Sequence, residues 1–133
     1  MKRANKELQM LYIYDPVLKS YLNIFYECNY KELNKYISET YNVTVKEDDS
    51  DDGCFFKIKD SDTQEEHYCI WIRKIKNNTH AYSKIIHELV HYLFQIFYDR
   101  GIKVGKNNDE IFAYFQQFYF EKIYKKLFNK PKK

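Results

Sequence analysis

The stretch Lys84-Ile85-Ile86-His87-Glu88-Leu89-Val90-His91-Tyr92-Leu93-Phe94-Gln95-Ile96-Phe97 is the most regular part of the chain. Its apolar residues, Ile85, Ile86, Leu89, Val90, Leu93, Phe94, Ile96 and Phe97, recur at the spacing of one helix face. No Gly or Pro interrupts them. Asn77-Asn78-Thr79 supplies side-chain oxygens suited to an N-cap, and Gly101 is placed to end the run. The spacing predicts a helix over 78–99.

That helix carries the chemistry. His87 and His91 are four residues apart, a little over one turn, so both imidazoles project from one face and can grip one small ion. Zinc suits such a pair, because it accepts imidazole nitrogen and a catalytic site leaves one of its four positions to water. Glu88 hangs beside that position and is the candidate general base: zinc lowers the pKa of bound water and a carboxylate takes the proton. The alternative makes both histidines ordinary helix residues and Glu88 a solvated neighbour.

A third ligand is expected from the next helix. Eighteen residues separate His91 from Glu110, which opens a helix read over 108–128 and stopped before Pro131. Glu110 is the candidate third ligand and Asp109 the alternative. A reading without metal is also open: Asn107 with Glu110 three positions on has the spacing of a capping box, and both acids suit the positive end of a helix dipole. His80, Tyr82 and Tyr114 are candidates to line the cleft, and Asp99 and Gln117 to orient the histidines.

His87-Glu88-Leu89-Val90-His91, followed by a helix that begins Glu110-Ile111-Phe112-Ala113, resembles the gluzincin branch of the zincin metallopeptidases. Within it the chain is similar to minimal HExxH proteins of the ImmA/IrrE kind and to small bacteriophage-encoded HExxH proteins. The likeness spans roughly residues 66–120. It implies an α+β fold, a minimal zincin-like domain with a small antiparallel sheet or hairpin packed on the metal helix and a C-terminal helix. It also implies Zn2+ on His87, His91 and Glu110, Glu88 as base, and a peptide or protein substrate beside the strand near Tyr68 to Arg73. Tyr114 stands where ImmA/IrrE-type sequences carry Asn, and Leu89-Val90 where they often carry Gly. The string following a metzincin helix and the one beside a peptide deformylase site are both missing. A zinc-stabilised regulatory or interaction protein of a phage or mobile element, without turnover, is the second expectation.

Outward from this core, Cys54 to Lys59 and His67 to Arg73 are rich in β-formers and alternate, predicting a hairpin over 53–74. Ile70 and Ile72 should face one side and Cys69, Trp71 and Arg73 the other, where they could border a groove. The first 50 residues are read as a helical region. Leu8 to Tyr14 fits strand or helix, Asp15-Pro16 breaks it, Leu18, Tyr21, Leu22, Ile24 and Phe25 have helical spacing over 17–27, and a further helix covers 30–41.

All of this fits one domain over 1–133, whose length can bury an aromatic core supplied by 14 Tyr and 10 Phe. Three Gly and two Pro exclude collagen-like and Gly/Pro-rich disordered classes. An odd set, Cys28, Cys54 and Cys69, without C-x-x-C spacing reads as reduced thiols of a cytoplasmic protein, the host cytoplasm if the chain is phage-encoded. No secretory leader or membrane span is expected. The acidic run Glu47 to Asp52 reads as a solvated loop with some capacity for a hard cation, and the Lys-rich tail 129–133 as a solvated end with nucleic acid as the weaker reading.

Overall fold

The computed structural model describes residues 8–45 and 52–128. Most of the acidic run and the whole basic tail therefore lie outside the described residues. The fold is α+β. A four-stranded sheet in the order β1-β2-β4-β3 is built from β1 (Gln9–Asp15), β2 (Ser20–Tyr26), β3 (Gly53–Lys59) and β4 (Glu66–Ile72). Three helices cover it: α1 (Tyr30–Tyr41), α2 (Thr79–Asp99) and α3 (Asp109–Leu127). No helix among the described residues is long and apolar enough to cross a membrane.

The predicted hairpin, α1, α2 and α3 all form. Residues 17–27 do not form a helix, and the sheet is mixed rather than antiparallel. β1 and β2 make a second hairpin, and β2 runs parallel to β4, pairing Ile24 with Ile70. The misreading has a physical cause. As a central strand β2 is buried on both faces, with Leu22 and Ile24 on one and Phe25 on the other, so the two-residue alternation of a half-exposed strand is absent. Asp15 Oδ1 accepts from Val17 N at 2.8 Å to make the tight turn, and Lys19 leaves it at φ 50°.

Strand alternation splits the core. Leu22, Ile24, Ile70 and Ile72 pack against Ile85, Leu89, Leu93 and Ile96 of α2 and against Tyr119 and Ile123 of α3. Phe25, Cys69 and Trp71 pack against Leu33 and Ile37 of α1. Cys69 and Trp71 are therefore covered by α1 instead of facing a groove, and Trp71 Nε1 donates to Cys28 O at 2.9 Å among them.

Local chemistry sets the helix ends. Asn29 and Glu32 form a reciprocal capping box on α1, and Asn42 ends that helix at φ 56°. Asn78 accepts from Ala81 N at 3.0 Å to start α2, and Gly101 ends it at φ 71°. Arg100 then ties the end of α2 to the β1–β2 turn, donating to Leu18 O and Lys19 O. α3 lies antiparallel against α2 through aromatic contacts, Phe97 with Phe112 and Phe115 at one end and Tyr82 with Phe120 and Phe128 at the other.

Candidate metal centre and groove

β3 is an edge strand, and α2 lies beside its free edge. Between them runs an open groove of about 660 Å³, with Gly53, Cys54 and Phe55 on the strand side and His87, Glu88 and His91 on the helix side. Phe94, Gln95 and Tyr98 extend the helix wall, with Tyr98 80% exposed. The start of β3 depends on glycine. A Cβ at Gly53 would lie 1.9 Å from the Trp71 carbonyl oxygen, and its φ of +141° disfavours side chains.

The two histidines meet. Their Nε2 atoms are 3.2 Å apart, with ring centroids at 4.8 Å and a T-shaped arrangement. Two zinc–nitrogen bonds of about 2.05 Å at a tetrahedral angle place their nitrogens about 3.3 Å apart, so the pair fits two ligands of one zinc ion. Both rings are exposed and reach the groove.

Glu88 sits differently. It is 4% exposed, its Oε1 accepts from Phe55 N at 2.8 Å, and its Oε2 lies 3.2 Å from Lys84 Nζ. Because Phe55 N bonds a side chain rather than β4, Phe55 is one of the residues whose backbone groups face the free edge. The two-residue repeat puts Gly53 and Lys57 there as well.

Glu110 is not at the pair. It is exposed in the first turn of α3 and does not line the groove, and neither does Asp109. The capping box does not form either. The N-cap is Asn108, whose side chain bonds Gly105 N and Lys103 O instead of the first turn of the helix. Among the described residues no three of His, Cys, Asp and Glu are grouped so as to hold a metal ion.

The other sequence candidates have separate roles. His80 is exposed and pairs with Asp52 at 3.1 Å. Tyr82 packs against α3, Tyr114 is exposed, and Gln117 bonds Glu121. Asp99 accepts from Tyr68 Oη at 2.5 Å, Lys57 Nζ at 2.9 Å and Gln95 Nε2 at 3.0 Å, which fastens the end of α2 to β3 and β4. Burial alone would raise the Asp99 pKa, but these bonds outweigh it and hold the carboxyl below its ordinary value. Sequence reasoning missed the Phe55 amide and Lys84. The i, i+4 spacing of Lys84 and Glu88 was a readable signal, whereas the Phe55 partner, 33 residues away, had none.

Comparison with protein-family models, with curated proteins and with solved structures returns no match. The functional reading therefore stands on the geometry of this groove.

Proposed function

We propose that this chain is a zinc-dependent peptidase whose groove takes an extended peptide along the free edge of β3. One observation carries the reading: an imidazole pair at zinc-ligand spacing opens onto a groove walled by the edge strand of the sheet. His87 and His91 would hold the ion. Bound zinc supplies Lewis acidity and a water of lowered pKa.

The chain's own residues do the rest. The outward backbone groups at Phe55 and Lys57 bind the peptide main chain as an added strand. Phe94 and Tyr98 offer apolar contact for its side chains. Glu88 Oε1 and an incoming strand compete for the same donor, the Phe55 N–H. A peptide that takes this amide releases Glu88 Oε1, and the carboxylate then accepts a proton beside the histidines. The test is metal analysis with a peptide-library digest, on the parent and on Glu88→Gln. Zinc retained in both, with cleavage only by the parent, supports the reading; cleavage by Glu88→Gln at the parental rate rejects it.

A second reading is a zinc-binding interaction protein without turnover. It is favoured by Glu88 being buried and doubly engaged, and by Glu110 standing apart from the pair. Peptide binding in the groove with no cleavage at any metal loading would select it.

A further inference from the structure

Between β4 and α2 the chain places Arg73, Lys74 and Lys76, all exposed and without an ion pair among the described residues. They line a concave pocket of about 200 Å³ with Asp52, His80 and Lys84. Asp52, the carboxylate on that wall, already faces His80 Nε2 at 3.1 Å. Cations gathered in a concavity repel one another and focus a positive potential into it, and an anion placed there relieves the repulsion.

This pocket adjoins the groove. Lys84 lines both, and the neighbours Asp52 and Gly53 line one each. His80 precedes His87 by seven residues of α2, about 10 Å along the helix axis. That distance equals about three residues of extended chain.

We propose that the Arg73/Lys74/Lys76 pocket binds Asp or Glu side chains of the same extended peptide that lies in the groove, about three residues from the segment facing His87 and His91. The proposal rests on the groove being a peptide site and names its substrate class, an acidic peptide. A nucleic acid fits less well, because it needs cations spaced along its backbone, whereas beyond Lys84 the wall presents Glu88, Phe94 and Tyr98.

The test uses the metal-free full chain, so it depends on neither zinc nor turnover. Three fluorescein-labelled nine-residue peptides are titrated by anisotropy: one with an Asp pair near its C-terminus, one with the pair near its N-terminus, and one with Asn at both places. Because Glu47, Asp48, Asp49 and Asp51 precede Asp52 in the chain, the titration is repeated on a variant carrying Gln or Asn at those four positions. In at least one of the two chains an Asp peptide should bind about tenfold more tightly than the Asn peptide. The preference should shrink as salt rises and vanish in Arg73→Gln/Lys76→Gln. Equal binding of Asp and Asn peptides by both chains overturns the acidic pocket and leaves the groove standing. Failure of all three peptides to bind overturns both. A preference that survives Arg73→Gln/Lys76→Gln, or tighter binding of a nine-nucleotide single strand, assigns the charge preference elsewhere and also overturns the proposal.

Discussion

The Glu88 carboxylate accepts a 2.8 Å hydrogen bond from the Phe55 backbone N–H, joining the helix that bears the histidine pair to the edge strand of the sheet. A hydrogen bond to a charged acceptor is worth about 1.5–3 kcal/mol, and this one is partly buried. Glu88→Ala should therefore destabilise the fold by about 2 kcal/mol in urea titration. Glu88→Gln keeps an acceptor oxygen and should cost less. Equal losses in the two variants would show that the bond to Phe55 does not hold strand and helix together.

The histidines should behave in the opposite way. Both are exposed, and exposed positions tolerate substitution within about 0.5 kcal/mol. His87→Ala and His91→Ala should each leave the unfolding midpoint nearly unchanged yet abolish zinc uptake in competition with a chromogenic chelator. Retention of stoichiometric zinc by both variants would place the metal site elsewhere.

Glu110 separates the sequence expectation from the structure. Exposed and away from the groove, it should leave zinc affinity within about twofold when changed to Ala. A hundredfold loss, the scale on which a ligand or its immediate support is felt, would mean that α3 reaches the pair in the loaded protein.

Asp99 gives a dependence on pH. Its folded-state pKa lies below the unfolded one because Tyr68, Lys57 and Gln95 bond the ionised carboxylate. Its contribution is full above the ordinary aspartate range and is lost as pH falls through the folded value. Asp99→Asn should lower the melting temperature at pH 7 by a few degrees, and the gap should narrow towards pH 2–3. A gap that stays constant over that range would exclude ionic bonding as its source.

Gly53→Ala should cost more than about 2 kcal/mol, since the added Cβ meets the Trp71 carbonyl at a φ foreign to alanine. Circular dichroism melting checks it. A parental melting temperature would show that β3 starts without the close approach.

The amino-acid sequence by itself determined what depends on near neighbours. The helical period of 85–97, the caps at Asn78 and Gly101 and the run of β-formers over 68–72 all act over a few residues. So does the meeting of His87 with His91, because one helical turn brings i and i+4 together wherever the helix goes. Only the tertiary structure decided the rest. Whether Leu22 to Phe25 form a helix or a central strand depends on what covers both faces. That Glu88 meets Phe55, and that Glu110 stands apart from the histidines, depends on how α2 and α3 lie on the sheet. The physical reason is the range of the forces. Propensity and capping act within a turn or two of chain, whereas burial and strand-edge pairing join residues whose separation in sequence carries no periodic trace.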